Sequence, residues 1–238
     1  MNNELLLNPE MTPKRIKNLK LAQKKMTNMI IVFNKLCEKY NIKYWALGGT
    51  LVGAVRHKGW VPWDGDVDIG MERSDYNKLV SIQDELPSDM AFFDKYTDKH
   101  NISIEGLSRI RDLYSHYNIN REHKGHLGLQ IDIFIYDTII LNGKKHLKSV
   151  MDLKVFKDDL YEYDLIFPIK PSTFENTYVN IPNKINQYCI NVFGNYPPEL
   201  PPVNNRICHE ALDIDPVNPY PYYFTKYKDL YDKKLKQF

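Results

Sequence analysis

Cysteine is scarce in this chain: three in 238 residues, at Cys37, Cys189 and Cys208. An odd number at wide spacing, with no histidine at zinc-ligand spacing, excludes a disulfide framework and a structural zinc module, and a reducing, cytoplasmic setting is the expectation. Long apolar runs are missing too. Met29–Phe33 is among the longest, far short of the roughly 18 residues a membrane-spanning helix needs. Met1 to Lys25 is polar and lysine-rich, without the apolar stretch or cleavage site of a signal peptide. Net charge is only +2, from 32 basic and 30 acidic residues, so nucleic acid is not an expected partner and charge alone draws the chain to no membrane. Glycine is rare, at 11 residues, yet Gly48, Gly49, Gly53 and Gly59 fall close together and Gly65 and Gly70 follow. What is present is ordinary globular material, 43% hydrophobic and 26% charged, and the length suits one or two domains.

The pattern predicts a single α+β unit: an N-terminal helix in 1–41, a mixed sheet core in 42–140, and a helical and proline-rich part in 141–238. Thr12 and Pro13 are an N-cap and a first-turn proline. Apolar residues from Ile16 to Tyr40 recur at helical spacing, predicting a helix over Pro13–Tyr40 whose stripe is core. Strands are expected at Tyr44–Leu47, Asp66–Gly70, Met90–Phe93, Leu107–Arg111, Leu113–Tyr117 and Leu129–Tyr136, and helices over Leu51–His57 and from Ser74 to about Asp84. From Lys144 to Leu160 the pattern reads as a basic helix. Another helix follows Pro182 and stops at Gly194. The tail after Asn195 is expected to wrap irregularly, given its prolines.

Chemistry concentrates between Ala46 and Gly70. Gly48-Gly49-Thr50 follows a strand and opens a helix, a turn through which backbone N–H groups can approach a phosphate. Alone, such a turn is more often plain geometry. In Asp64-Gly65-Asp66-Val67-Asp68, Asp66 and Asp68 share one strand face while Val67 points into the core. Two adjacent carboxylates repel unless a cation lies between them, and such hard oxygen ligands suit Mg²⁺ or Mn²⁺. An EF-hand is disfavoured because its closing glutamate is missing. Asp132, flanked by Ile131 and Ile133, is the expected third acid, whereas Asp112 and Asp137 read as structural. Arg56 suits a phosphate clamp, and His57 divides evenly between acid–base work and a structural place. Trp60 and Trp63 suit base stacking or an ammonium box, or else anchor the loop. Arg109 and Arg111 share a strand face from which they can meet phosphates or pair with the acids.

The run Leu47-Gly48-Gly49-Thr50-Leu51-Val52-Gly53-Ala54-Val55-Arg56-His57-Lys58-Gly59-Trp60-Val61-Pro62-Trp63-Asp64-Gly65-Asp66-Val67-Asp68-Ile69 resembles the signature of the LicD family. Gln130-Ile131-Asp132-Ile133-Phe134 with Asp137 resembles that family's later acidic strand. The tract from Phe193 to Pro202 resembles its C-terminal region more loosely, and the likeness extends over about Leu36 to His209. It implies a nucleotidyltransferase-like fold, nucleotide phosphates at Gly48, Gly49 and Thr50 with Asp64 and Trp63 beside them, and a divalent metal on Asp66, Asp68 and Asp132. The implied reaction moves a phospho-alcohol, such as phosphocholine or ribitol phosphate, from a CDP-linked donor to a hydroxyl of a glycan or glycolipid, with Arg56 and His57 as further catalytic candidates. Gly65 departs from the pattern, since the family usually carries an acid there. Two other readings stay open: transfer of NMP from an NTP, and a binding module without catalysis. Peripheral contact with a membrane through the lysines of 144–157 also stays open.

Overall fold

The computed structural model describes residues 7–98, 102, 104–117, 125–151, 160–207 and 213–236. Its first element, α1 (Pro13–Tyr40), is bounded as the sequence predicts. Thr12 Oγ1 accepts from Arg15 N at 3.3 Å, and Asn41 closes the helix in the left-handed conformation. Leu19, Met26, Ile30 and Phe33 form its buried stripe.

Five strands make the central row of the main sheet: β1 (Trp45–Ala46), β2 (Val67–Glu72), β3 (Met90–Phe93), β4 (Leu107–Asp112) and β6 (Gln130–Leu141). Their order is β1-β2-β6-β4-β3. β2 and β6 run parallel, and the other neighbouring pairs are antiparallel. β6 is buried from Gln130 to Tyr136, so it is the hydrophobic spine. Its two faces carry different chemistry: Ile131, Ile133 and Ile135 on one, Asp132, Phe134 and Tyr136 on the other. Helices α2 (Gly48–Arg56) and α3 (Arg73–Ser81) pack against β2, while α1 packs against β6. The antiparallel pair of β5 (His116–Tyr117) and β11 (Ile214–Asp215) stands apart from the main sheet.

The region after Leu141 corrects the helical reading of 144–160. The chain reverses through a two-residue loop, Asn142-Gly143, with φ +50° and +76°, and returns as β7 (Lys144–Ser149), which continues the sheet into β8 (Leu160–Glu162). Both loop residues need positive φ, which Asn and Gly supply, and this reversal matches the right-handed twist of the strands. That turn outweighs the helical tendency of the lysines. Residues 152–159, with Lys154 and Lys157, lie outside the described residues, as do Cys208 and His209. The C-terminal half therefore holds a further hairpin, β9 (Lys170–Phe174) with β10 (Thr177–Ile181), beside the helices α4 (Tyr163–Ile166) and α5 (Ile185–Phe193). Gly194 ends α5 with φ +91°. The proline-rich tail does wrap irregularly, but it finishes in α6 (Tyr222–Lys226) and α7 (Lys228–Leu235). These helices cover a second, smaller core of Ala91, Phe93, Ile102, Leu113, Tyr223 and Tyr231. Two further boundaries move. The strand expected over Leu113–Tyr117 shrinks to β5, and α3 starts at Arg73 behind Glu72, so Ser74 lies inside the helix and is not its cap. Among the described residues no helix is long and apolar enough to cross a membrane.

Candidate active site

Strand pairing assembles the acids. In the parallel register of β2 and β6, Asp68 lies opposite Asp132, and Asp66 immediately precedes β2. Each of Asp66, Asp68 and Asp132 offers a carboxylate oxygen, and these oxygens lie within 4.8 Å of one another. Asp132 is buried at 6% exposure, while Asp66 and Asp68 are half-buried. Three carboxylates this close repel strongly at neutral pH. Arg109 offsets part of that charge: its Nε donates to Asp132 Oδ1 at 2.7 Å. Burial alone lowers the Arg109 pKa, but attraction to Asp132 and then Asp66 outweighs it and holds the guanidinium above its ordinary value. The three residues offer an all-oxygen donor set of the kind that suits a hard divalent cation.

The glycines serve the same carboxylates. Gly48 has φ +48°, and a Cβ on it would stand 2.6 Å from Asp68 Oδ2. A Cβ on Gly49 would stand 2.3 Å from Asp64 Oδ2. The start of α2 therefore comes closer to Asp64 and Asp68 than any residue with a side chain allows, and its N-terminal dipole faces them. Gly48, Gly49 and Thr50 form the first turn of α2 itself, whereas the sequence suggested a turn ahead of a helix from Leu51. Thr50 is buried, and its Oγ1 accepts from Asp68 N at 2.9 Å. Leu47 N donates to Asp68 O at 3.0 Å. Helix start and acidic strand are thus fastened at one point.

The loop from Lys58 to Gly65 is held from three sides. Gln23 on α1 donates to Val61 O at 3.2 Å and to Asp64 O at 2.9 Å. Tyr117 Oη donates to Gly65 O at 2.5 Å. Glu175, at the turn between β9 and β10, accepts from Trp60 N at 3.1 Å. Gln23, Tyr117 and Glu175 carry no motif signal, because each works through a backbone group distant in sequence. Trp60 is an anchor: it is buried, donates to Thr27 Oγ1 at 2.9 Å and meets Phe174 edge-on at 5.3 Å. Trp63 is also buried, with the Arg206 guanidinium 5.2 Å over its ring.

Arg56 and His57 lie at the other end of α2, about 12 Å along its axis from Gly48 at 1.5 Å per residue. Arg56 Nη1 donates to Pro198 O at 2.9 Å, so the guanidinium engages the proline tail. His57 is the C-cap of α2. The structure gathers Asp66, Asp68, Asp132, Asp64, Gly48, Gly49 and Thr50 at the N-terminal end of α2, with Arg56 and His57 at its C-terminal end. Asp137 pairs with Arg73 at 2.5 Å and Asp112 with Lys25 at 2.8 Å, both structural as expected. Among the described residues, Cys37 and Cys189 are free and buried, and burial pushes the Cys189 thiol up to about 12.

Comparison with known proteins gives the family. Residues 41–184 fit the family model described as LicD/FKTN/FKRP, nucleotidyltransferase domain. The chain belongs to the LicD/FKTN/FKRP family. This segment holds every acid and glycine of the site, so the nucleotidyltransferase-like α+β fold follows from membership. Among LicD relatives, the lipopolysaccharide cholinephosphotransferase LicD of Haemophilus influenzae is 44% identical over 69 residues, covering 28% of this chain and 26% of that protein. An uncharacterised protein of Rickettsia prowazekii is 33% identical over 165 residues, 68% of this chain and 56% of the relative. The human ribitol 5-phosphate transferase FKRP is 47% identical over 46 residues, covering 19% of this chain and 9% of that protein. The chain thus spans from under a tenth to just over half of the length of these curated relatives.

Proposed function

We propose that this protein transfers a phospho-alcohol, of the phosphocholine or ribitol-phosphate type, from a CDP-linked donor to a sugar hydroxyl of a glycan or glycolipid, with Mg²⁺ or Mn²⁺ on Asp66, Asp68 and Asp132. The observation that carries it is the convergence of those three carboxylates, within 4.8 Å, on the start of α2. Family membership and the activities named for the relatives set the reaction class. A divalent ion here would supply charge neutralisation for the pyrophosphate and for departing CMP. The rest is the work of the chain. The N-terminus of α2 provides backbone donors for a phosphate oxygen. Arg109 and Gln130 hold Asp132 through both of its oxygens, at 2.7 and 3.1 Å, which commits it to positioning. Asp64, held against Gly49, is then the base. Its carboxylate takes the proton of the acceptor hydroxyl as the new P–O bond forms and the P–O bond to CMP breaks.

The test is a thermal-shift panel of CDP-choline, CDP-ribitol, CDP-glycerol, CTP, ATP and UTP, with and without Mg²⁺, followed by product analysis. Selective binding to the folded state raises Tm by mass action. One CDP-alcohol should raise Tm only with Mg²⁺, lose that effect in Asp66→Ala, and yield CMP. A response to NTPs alone, with pyrophosphate as product, would favour NMP transfer. No response to any of them would return the protein to the binding-module reading.

A further inference from the structure

The lysines that composition assigns to a helix stand on the returning arm of the β6–β7 hairpin. β2 pairs with β6 only as far as Tyr136, so residues 137–141 run about 16 Å past it by the rise of a strand. β8 pairs with β7 only from His146 to Lys148. Residues 140–145 are therefore a two-stranded end with no third strand beside it among the described residues. Ile140 is 62% exposed there and Leu141 39%. One exposed apolar side chain is ordinary. Two at the end of a projecting ribbon put apolar surface where a partner meets it first. In the hairpin register Ile140 lies opposite Lys145, and Leu141 opposite Lys144. Cross-strand partners share a face, so each face of the tip carries one apolar side chain beside one lysine. No acid occurs from Thr138 to Leu147. The acids around the ribbon meet other groups. Asp137 pairs with Arg73 at 2.5 Å, and Glu72 accepts from Thr138 Oγ1 at 2.6 Å. Glu162 lies opposite His146. Asp164 pairs with Lys184 at 2.5 Å, and Lys144 attracts it as well.

We propose that the tip of the β6–β7 hairpin docks end-on on an anionic phospholipid bilayer, with Ile140 and Leu141 entering the boundary between headgroups and acyl chains and Lys144 and Lys145 on the lipid phosphates. The same apolar–lysine pair on both faces suits entry by the tip, since a ribbon lying flat would use one face alone. A lysine stem runs along apolar surface while its ammonium stays among polar groups. Apolar side chains ringed by lysines draw on both attractions of an anionic interface, burial and charge. A second copy of this chain suits the tip less, because it would set four lysines against one another. The inference stands apart from the reaction proposed above.

The experiment measures sedimentation of the whole chain with vesicles of phosphatidylcholine alone, or of phosphatidylcholine and phosphatidylglycerol in equal parts, at low and at high salt. The proteins are wild type, I140S/L141S, K144Q/K145Q and L141W, with V217S as a control at an exposed apolar residue elsewhere, each first checked by melting. Wild type should bind the anionic vesicles and leave them at high salt. I140S/L141S should bind them about tenfold or more weakly, through the lost apolar contact. K144Q/K145Q should lose about tenfold or more at low salt and much of the salt dependence. V217S should stay within about twofold of wild type. The added emission of L141W should shift to the blue on the anionic vesicles and be quenched by brominated acyl chains. Wild type that ignores the anionic vesicles, or binds phosphatidylcholine alone equally well, overturns the proposal. So does I140S/L141S binding like wild type, or L141W emission unmoved by vesicles that the protein binds. A dimer without vesicles that I140S/L141S turns into a monomer, with no sedimentation, overturns it in favour of a second copy.

Discussion

Two charged clusters meet at β4 and β6, through Arg111 and Asp132, and they are built on opposite principles. In one, Asp98, Arg111 and His126 are buried among Tyr223, Tyr227 and Tyr231. Asp98 pairs with Arg111 and accepts from Tyr227 Oη at 3.3 Å. The His126 ring stacks on Tyr223 at 4.1 Å and on Phe93 at 5.2 Å. In the other, Asp66, Asp68 and Asp132 hold three acids together on one open side. The first cluster fastens the C-terminal helices to the sheet edge. The second sets three like-charged groups side by side, an arrangement that suits a site for a ligand.

The sharpest way to break this comparison is Asp68→Asn. Turnover should fall by about a thousandfold or more, on the scale of losing a preorganised electrostatic contact. Tm should hold or rise, because the change relieves repulsion among the acids. A large loss of Tm with the activity would place Asp68 among the structural charges. Arg111→Met probes the other cluster. It leaves Asp98 buried without its cation and should cost about 3–5 kcal/mol in a denaturant titration. A cost under about 1 kcal/mol would show that the pair does not fasten the helices.

The smallest expected effect is a pH dependence. His126 is fully buried, and burial, with Arg111 adding to it, pushes its pKa well below 6.5. The hydrogen bonds fit the neutral ring: Nδ1 accepts from Gly128 N at 3.1 Å, and Nε2 faces Tyr231 Oη at 3.2 Å. Below about pH 6.5 the unfolded chain binds a proton that the folded chain refuses, so stability falls as pH falls. Between pH 7.5 and 5.5 this group should remove roughly 1 kcal/mol. His126→Asn offers Gly128 a similar acceptor without the titration. The variant should be less stable at pH 7.5 and show a flatter profile, and parallel profiles would refute the assignment.

Much of the site was readable from residues alone, because its parts are local. Asp66 and Asp68 share a face by strand alternation, and Asp132 declares itself by isoleucines on both sides. The α1 boundaries follow from Thr12, Pro13 and Asn41, whose caps act within a turn. What escaped depends on distance or on rival local signals. The choice of Arg109 over Arg111 as the partner of Asp132 needs the register of β4 with β6. The lysines after Gly143 favour a helix by composition, but the Asn142-Gly143 reversal settles them as β7. The closing helices α6 and α7 are short and bordered by prolines. They are held by tyrosine contacts to Phe93 and His126, which no periodicity announces.

The parallel pairing that sets Asp68 beside Asp132 has a consequence for how the chain folds. All of α3, β3, β4 and β5 lies between those two acids in sequence. Parallel strands need a long crossover, and non-local contacts of this kind carry the entropy of loop closure before they return any stability. The complete triad therefore belongs to the end of the folding reaction. A cation that needs all three acids cannot nucleate this fold. In a refolding experiment its capture would mark the final docking of β6 on β2, after collapse and after α1 has formed.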